Sequence, residues 1–313
     1  MTKILAVVGP TASGKSALAL ALAKKLNGEI ISCDSMQIYR QMNIGTAKPT
    51  DKEMSEVRHH LIDVVEPELC FSAADYVELA ASAIDDCVSR GKLPIICGGT
   101  GLYLDTLLRG EDPSPNTVDE GVRASLLEYA EREGADALWQ ELLRIDPESA
   151  EAIHKNNVKR VARAIEVYRV SGVTKTELDR RSREAPSRYD ACVIGLRYAD
   201  RQVLYDRINL RVDQMIAEGL AEETETLLHR GVFEKNNTAA QAIGYKEIIP
   251  YVRGRMSLDE AADTLKMSTR RYAKRQMTWF SAKPYVNWID VSVIDEKTFE
   301  DIVNNAVKLF KNF

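Results

Sequence analysis

A glycine-rich loop close to the start of the chain places the strongest constraint on its fold. The loop, GPTASGKS, spans Gly9–Ser16 and matches the pattern G-x-x-x-x-G-K-[ST]. The aliphatic run Lys3–Val8 before it predicts a buried strand, and the alanine- and leucine-rich run after it predicts a helix from Ser16 to about Leu26. A strand, this loop and a helix, in this order, are the context in which such a loop binds phosphate, and they favour an α/β fold.

The rest of the first hundred residues repeats the alternation of strand and helix. Strands are predicted at 29–33 and 93–97, with an extended stretch at 60–65 and a helix at 72–90 between them. Short buried strands separated by helices are typical of a parallel sheet that is covered by helices. We therefore expect a P-loop-containing parallel sheet flanked by helices.

The pattern changes in the middle of the chain. Residues 119–172 show helical spacing of apolar residues and no strand, and residues 183–188 are predicted to form a linker. The elements predicted beyond this block are a strand at 192–196, long helices at 200–230 and 257–282, and a strand at 286–291. We therefore expect a P-loop core made of residues 1–112 and 191–313, with an all-helical domain inserted at 113–190.

Cysteine spacing and hydropathy exclude several classes of protein. The five cysteines of the 313-residue chain are scattered and form no CxxC pair, which argues against a disulfide framework and a structural zinc site. No apolar run approaches the ~20 residues that span a bilayer. We therefore expect a cytoplasmic protein without a membrane partner.

Charge is unevenly distributed along the chain. The net charge is −5, but residues 155–188 carry ten Lys and Arg against four Asp and Glu, and residues 266–283 carry six Lys and Arg and no acid. A polyanion responds to the local patch and not to the sum, so these two segments could bind nucleic acid. Solvated basic helix faces are the alternative interpretation, and charge alone does not decide between the two.

The glycine-rich loop contains the residue types that hold an anion. Gly9 and Gly14 allow backbone conformations that turn successive N–H groups inward, and the following helix adds its partial positive charge. Lys15 can reach phosphate oxygens, and the Ser16 hydroxyl is the candidate ligand of Mg²⁺. The residues predicted to bind phosphate are Gly9, Pro10, Thr11, Ala12, Ser13, Gly14, Lys15 and Ser16.

Binding of phosphate does not specify phosphoryl transfer. An NTPase also needs an acid at the end of a neighbouring strand, and the strand LPIIC runs into GGTG without a carboxylate. The only acid at a predicted strand end is Asp34. A small-molecule kinase could use Asp34 to orient its acceptor hydroxyl, so a P-loop kinase stays open as an alternative.

Several longer stretches of the sequence resemble those of one protein family. They are GPTASGKS (Gly9–Ser16), ISCDSMQIYRQMNIGTAKP (Ile31–Pro49), HHLID (His59–Asp63), FSAADY (Phe71–Tyr76), PIICGGTGLYL (Pro94–Leu104), NVKRVARAIEV (Asn157–Val167), AIGYKE (Ala242–Glu247) and YAKRQMTWF (Tyr272–Phe280). Together they resemble the bacterial tRNA dimethylallyltransferases, also called tRNA isopentenyltransferases. The resemblance implies transfer of a dimethylallyl group from dimethylallyl diphosphate to N6 of the adenine 3′ of the anticodon, position 37, with Mg²⁺ as cofactor. The helical insertion favours tRNA over a free nucleotide as acceptor.

This reaction suggests a role for each candidate catalytic residue. The N6 lone pair is delocalised into the adenine ring, so the amine needs a base, and Asp34 is the candidate. Lys15, the loop amides and Mg²⁺ on Ser16 would stabilise the departing diphosphate. Thr100 would orient the reacting groups through a hydrogen bond, and the resemblance assigns Arg211 to the diphosphate. The alternatives are a Mg²⁺ ligand or helix cap for Asp34, a helix N-cap for Thr100, and an exposed helix arginine for Arg211.

The resemblance also implies contacts with the tRNA anticodon stem-loop. The adenine must leave its stack to react, and the DSMQ stretch would line the channel that it enters, with the Gln37 amide binding base edges. The residues implied are Asp34, Ser35, Met36, Gln37, Thr100, Arg123, Lys159, Arg160, Arg163, Gln241, Gly244, Tyr245 and Lys246. We expect the protein to be a monomer. A further alternative for its function is an RNA-binding module that catalyses no reaction.

Overall fold

The structure, a computed structural model, describes residues 1–109, 119–236, 238–292 and 295–313, without the side chains of Arg183 and Glu296. The chain divides into two compact units. One consists of Met1–Leu108 and Tyr189–Phe313, and the other of Arg109–Arg188. The first predicted domain boundary, between residues 112 and 113, lies outside the described residues.

The first unit contains a six-stranded parallel sheet with the order β3-β2-β4-β1-β5-β6. The strands are β1 (Thr2–Val8), β2 (Gly28–Ser32), β3 (His59–His60), β4 (Leu93–Gly98), β5 (Tyr189–Tyr198) and β6 (Val286–Val291). Ile4, Ala6 and Val8 pack into one hydrophobic cluster, whereas Leu5 and Val7 pack into another. Because successive side chains of β1 alternate between two buried faces, helices must cover both sides of the sheet. The predicted fold class is confirmed.

Fifteen α-helices are assigned within the described residues. Before the second unit they are α1 (Lys15–Lys25), α2 (Asp51–Glu56), α3 (Ala73–Ser89) and α4 (Gly101–Leu108). The second unit contains α5 (Glu120–Glu133), α6 (Ala135–Ile145), α7 (Pro147–Ala152), α8 (Val158–Ser171) and α9 (Lys175–Glu184). After it come α10 (Arg201–Ala217), α11 (Leu220–His229), α12 (Val232–Lys235), α13 (Tyr245–Val252), α14 (Leu258–Ser281) and α15 (Glu296–Asn312). Within the described part of the chain, no helix has both the length and the apolar character required to cross a membrane.

The structure differs from the predicted elements at three places. The single helix expected at 200–230 is wrong, because the chain breaks at Gly219, whose φ of 98° ends α10 and starts α11. The extended stretch expected at 60–65 is reduced to the two-residue β3 and one bridge between Tyr39 and Val65. The linker expected at 183–188 is shorter, since α9 continues to Glu184.

The order of the strands decides where a site can form. Strands β2, β4 and β1 are neighbours, and all three run in the same direction. The glycine-rich loop follows β1, the DSMQ stretch follows β2 and the GGTG turn follows β4. The carboxyl ends of three adjacent parallel strands therefore bring these loops to one edge of the sheet, where open α/β sheets bind ligands.

Candidate active site

The glycine-rich loop has the backbone that its sequence predicts. Gly9 and Gly14 have φ values of 148° and 92°, and Ala12 also has a positive φ, 62°. The carbonyl of Ala12 accepts a hydrogen bond from Arg207 Nε (2.9 Å). Helix α10 therefore holds the loop at Ala12, whose positive φ is a backbone conformation that residues other than glycine rarely adopt. Sequence reasoning missed Arg207, because nothing in its local pattern indicates a partner 195 residues away.

Lys15 opens α1 and is held over the loop. Its Nζ donates to the Pro10 carbonyl at 3.3 Å. Burial lowers the pKa of Lys15, the nearby Arg211 lowers it further, and Asp34 opposes both effects. Burial likewise lowers the pKa of Arg211, again against the influence of Asp34. Two partly desolvated cations therefore lie within electrostatic range of one carboxylate, and an incoming anion would restore their preference for the charged form.

Asp34 uses one carboxylate oxygen to shape its own loop. Oδ1 accepts hydrogen bonds from the backbone amides of Met36 (2.9 Å) and Gln37 (3.3 Å). Within the described residues, Oδ2 accepts no hydrogen bond. The helix-cap alternative for Asp34 is wrong, because the next helix, α2, begins only at Asp51. The turn that Asp34 closes occupies one carboxylate oxygen and leaves the second oxygen for other chemistry.

These residues share a cavity of about 450 Å³, a volume typical of small-molecule sites. The sequence-predicted site residues that line it are Thr11, Lys15, Ser16, Asp34, Ser35, Met36, Gln37, Arg211, Gln241, Gly244 and Lys246. A second cavity of about 810 Å³ is lined by Ala12, Ser13, Gly14, Lys15, Ser16 and Arg211, among other residues. Lys15, Ser16 and Arg211 border both cavities, so the anion-binding part of the loop lies between them.

Gly9 and Pro10 form the base of the loop. A Cβ atom at Gly9 would lie 3.1 Å from the Leu196 carbonyl oxygen and 3.1 Å from Ser13 Oγ, so the first glycine is needed for a close approach to β5 as well as for its φ. The Pro10 carbonyl accepts hydrogen bonds from Ser13 N (3.2 Å) and Lys15 Nζ. Both residues shape the loop through their backbones.

Thr100 joins the GGTG turn to the loop that carries Asp34. Thr100 Oγ1 accepts a hydrogen bond from the backbone amide of Ser35 at 3.1 Å. The hydroxyl also donates to Ser35 Oγ at 3.4 Å. Thr100 directly precedes α4, which is the position of a helix cap, but its hydroxyl contacts the adjacent loop.

Helix α14 supplies a residue that sequence reasoning missed. Gln276 Oε1 accepts a hydrogen bond from the backbone amide of Thr11 (2.8 Å), and Gln276 Nε2 donates to the Gly99 carbonyl (3.0 Å). The side chain is 5% exposed and lines the 450 Å³ cavity. The available signal was a polar, uncharged residue in the YAKRQMTWF stretch that resembles the family.

Comparison with known proteins agrees with this geometry. The model of the IPP transferase family matches residues 37–283, more than half of the chain. The chain belongs to the IPP transferase family. The tRNA dimethylallyltransferase of Geobacillus thermodenitrificans is 51% identical over 290 residues, which cover 93% of this chain and 91% of the relative. That of Acetivibrio thermocellus is 48% identical over 305 residues, which cover 97% and 96%.

Solved structures of the same family resemble the fold. The full-length tRNA isopentenylpyrophosphate transferase from Bacillus halodurans is 44% identical, with a TM-score of 0.73 and coverage of 100% of this chain and 98% of that one. A eukaryotic dimethylallyltransferase acting on tRNA is 28% identical, with a TM-score of 0.85 and coverage of 100% and 80%. The resemblance seen in the sequence is confirmed, and the kinase alternative is not favoured.

Two of the predicted RNA contacts need correction. The Gln37 amide does not lie free to bind base edges, because Nε2 donates to the carbonyls of Thr46 (3.3 Å) and Ala47 (3.1 Å) and Oε1 accepts from Ser32 Oγ (3.0 Å). The side chain of Tyr245 cannot contact tRNA, because it is completely buried. Sequence reasoning did not detect that these polar groups already had partners within the core.

Tyr245 instead organises the loops around the cavity entrance. Its hydroxyl donates to Glu223 Oε1 at 2.7 Å, and the same carboxylate accepts from the backbone amides of Asn43, Ile44 and Gly45. A Cβ atom at Gly45 would lie 2.5 Å from the Tyr245 ring. Glu223 therefore ties together two loops that line the cavity, and sequence reasoning had assigned it no role.

Gln241, Gly244 and Lys246, three further predicted RNA contacts in the first unit, line the cavity. Gln241 is exposed, Gly244 has a φ of 112°, and Lys246 Nζ lies 3.7 Å from the Glu247 carboxylate. A Cβ atom at Gly244 would lie 3.2 Å from the Gly45 carbonyl oxygen, so this glycine permits the close approach of the two loops.

The four basic residues predicted in the second unit differ in their surroundings. Lys159 and Arg160 are exposed at the start of α8. Arg123 Nε and Arg163 Nη1 each contact a carboxylate oxygen of Glu166, at 3.0 and 3.1 Å, and Glu166 is completely buried. Arg123 and Arg163 therefore also compensate a buried charge, whereas Lys159 and Arg160 project into solvent.

The oxygen ligands near the loop suit Mg²⁺. The Ser16 hydroxyl and the Asp34 carboxylate line the same cavity, and oxygen is the ligand atom that Mg²⁺ prefers. Glu29, His60 and Cys87 also converge in the described structure. Arg90 binds both oxygens of Glu29, and the thiol and imidazole do not suit a hard cation, so this group is not a candidate for Mg²⁺.

Proposed function

We propose that the chain transfers the dimethylallyl group of dimethylallyl diphosphate to N6 of adenine 37 in tRNA and releases diphosphate. The observation that supports this most strongly is one cavity that holds two desolvated cations, Lys15 and Arg211, together with the carboxylate of Asp34. A diphosphate donor needs cations near its leaving group, and an amine acceptor needs a base close by. The names of the relatives support the same reaction.

The glycine-rich loop is proposed to bind the diphosphate of the donor. Its amides, Lys15 and Arg211 would neutralise the negative charge that grows as the allylic carbon separates from the diphosphate oxygen. Burial lowers the pKa of both side chains, which shows that they are already partly withdrawn from solvent. Little solvent must therefore be displaced from them when charge develops on the diphosphate. Preorganised donors of this kind stabilise a transition state without reorganising during the reaction.

Asp34 is proposed to be the general base. As the allylic carbon leaves the diphosphate oxygen and bonds to N6, a proton must leave N6, and the carboxylate of Asp34 would accept it. Oδ1 is held by two backbone amides, which keeps the carboxylate at the cavity while the second oxygen takes the proton. The bond from Thr100 to the Ser35 amide would keep this loop in position.

The proposed cofactor is Mg²⁺, bound by Ser16 Oγ at the boundary of the two cavities. When bound, the ion would supply positive charge to the diphosphate leaving group. The Ser16 hydroxyl is exposed in the first turn of α1, where both the helix N-terminus and a cation favour an anion.

The acceptor is proposed to be the anticodon stem-loop, with adenine 37 displaced from its stack. The DSMQ stretch, together with Ala242, Ile243, Gly244 and Lys246, lines the cavity that would receive the base, and the exposed Lys159 and Arg160 of α8 would bind phosphates. Arg123 and Arg163, whose side chains are 39% and 36% exposed, would contribute further contacts to the RNA. We propose a cytoplasmic monomer, since one chain contains both loops of the candidate site.

The test is incubation of the protein with dimethylallyl diphosphate carrying a label in the prenyl group, Mg²⁺ and an unmodified tRNA transcript. We expect label in one modified adenosine after digestion to nucleosides, and none in a matched transcript with guanosine at position 37. A parallel reaction with γ-labelled ATP tests for a kinase. Labelled phosphate on a small molecule or the RNA, with no prenylated nucleoside, would overturn the proposal.

A further inference from the structure

One face of α14, which carries Gln276 and Trp279, packs against the GGTG turn. The two residues lie three positions apart and so share one side of the helix. A Cβ atom at Gly99 would lie 2.0 Å from Gln276 Nε2, and one at Gly101 would lie 2.3 Å from the Trp279 ring. The two glycines of the turn therefore allow a contact with α14 that another residue would prevent.

The Gln276 side chain links two backbone segments, one of which offers it a hydrogen-bond donor and the other an acceptor. The Thr11 amide needs an acceptor and the Gly99 carbonyl needs a donor, and the Gln276 side-chain amide supplies both, at 2.8 and 3.0 Å. Neither a carboxylate nor an ammonium group could satisfy both partners. The side chain is nearly buried, so loss of these bonds would leave two backbone groups poorly solvated.

Thr100, the residue after Gly99, extends the same connection to the loop of the proposed base. Its Oγ1 accepts a hydrogen bond from the amide of Ser35, the residue after Asp34, and its own amide donates to the Cys33 carbonyl at 3.2 Å. Gln276 therefore contacts the glycine-rich loop directly and is connected to the Asp34 loop through Gly99 and Thr100.

Helix α14 is itself held firmly at its carboxyl end. The buried carboxylate of Asp105 in α4 contacts Lys283 Nζ and accepts a hydrogen bond from the Tyr285 hydroxyl, each at 2.5 Å. Phe280, in the last turn of α14, is completely buried. The helix can therefore serve as a rigid reference for the loops that contact it.

We propose that Gln276 is a positioning residue, which sets the distance between the diphosphate-binding loop and the loop of the general base. This rests on the proposed function, in which the allylic carbon and N6 must meet in line between those loops. A displacement of about 1 Å in such an arrangement can lower the rate about 10²-fold. Gln276 acts through the backbones of Thr11 and Gly99.

The first variant is Gln276→Met, which keeps the length of the side chain and removes both hydrogen bonds. We expect a fall in kcat of about 10²-fold, with the affinity for tRNA unchanged. The matched control is Gln202→Met, the same change at an exposed residue of α10, which should retain full activity. A lower melting temperature with unchanged kcat would reduce Gln276 to a structural residue and overturn the proposal.

The second variant, Gln276→Glu, separates the two hydrogen bonds. The carboxyl group can still accept from the Thr11 amide, but only its protonated form can donate to the Gly99 carbonyl. We expect the ratio of variant to wild-type kcat to rise as the pH is lowered. Because all other ionisable groups are the same in the two proteins, the ratio removes their contribution, and a ratio that does not vary with pH would contradict the role of the donor.

Hydrogen exchange measures the connection without any turnover. The Thr11 amide should be protected in the wild type and exchange faster in Gln276→Met, and the variant should bind inorganic diphosphate more weakly. Unchanged exchange would overturn the connection itself, whatever the activity. A wild type that transfers no dimethylallyl group would instead overturn the proposed function, while exchange and diphosphate affinity would still decide whether Gln276 positions the loop.

Discussion

Replacement of Asp34 by asparagine separates the proposed chemistry of this residue from its structural role. Asp34 Oδ1 accepts two backbone hydrogen bonds, and an asparagine carbonyl oxygen can accept both from the same place. The amide nitrogen that replaces Oδ2 cannot take a proton from N6. Asp34→Asn therefore keeps the loop and removes the base.

The structure allows the two effects to be compared in size. A hydrogen bond to a charged acceptor contributes about 1.5–3 kcal/mol and one between neutral groups about 0.5–1.5 kcal/mol, so two weakened bonds lower stability by about 2 kcal/mol. A general base contributes about 10²–10⁴-fold, which corresponds to about 3–5 kcal/mol of activation free energy. A folded variant should thus lose turnover far beyond anything that its lower stability explains.

The assay is single-turnover transfer of labelled dimethylallyl at saturating tRNA, together with tRNA affinity and a denaturation curve. Asp295→Asn is the matched control, because Asp295 Oδ1 likewise accepts a backbone hydrogen bond, from Thr298 N at 2.8 Å, but at the start of α15 and not at the cavity. It should show a similar small loss of stability and full turnover. Turnover of Asp34→Asn within about tenfold of wild type would leave less than about 1.4 kcal/mol for the base and would refute the assignment.

Three further perturbations test other parts of the molecule. Lys15→Met should lower kcat by about 10²–10³-fold, since it removes one preorganised cation from the leaving group; rapid-quench kinetics at saturating donor would measure this, and an effect on KM alone would contradict it. Replacing Lys159 and Arg160 by alanine should weaken tRNA binding and reduce the slope of log K against log [KCl] by about 2, one for each phosphate contact; an unchanged slope would exclude these contacts. Glu29 tests the pH dependence of stability: hydrogen bonds from Arg90 lower the pKa of its carboxyl to about 2, below the unfolded value, so the stabilisation is complete above about pH 4.5 and lost as the pH falls through 2. The stability difference between wild type and Glu29→Gln in denaturant should shrink over that interval by up to about 3 kcal/mol, and a constant difference would show that Arg90 does not depress this pKa.

Local patterns in the sequence predicted the features whose causes are local. The aliphatic run before Gly9, the two glycines with positive φ and the helix after Gly14 all depend on residues close to one another in the chain. The cap of α3 is also local, since Ser72 and Asp75, which form a reciprocal pair there, are three residues apart. The alternation of such units was sufficient for the parallel sheet and its two covering layers.

Long-range polar contacts were not predictable in this way. Tyr245, Gln37 and Glu223 carry polar side chains that can also contact RNA or water, and nothing adjacent to them in the sequence shows that the Tyr245 hydroxyl donates to Glu223. The break at Gly219 was missed because apolar spacing continues on both sides of it, and only the backbone conformation separates the two helices.

The sequence by itself determined the strand–loop–helix units, the anion-binding loop and the carboxylate that follows the second strand, because each depends on neighbouring residues and on the direction of parallel strands. Only the tertiary structure decided the distance between the glycine-rich loop and the loop that carries Asp34. Their spacing depends on Gln276, whose hydrogen-bond partner Thr11 is 265 residues away. Such partners meet only after the sheet has formed and α14 has packed against the GGTG turn, so no local pattern encodes the contact.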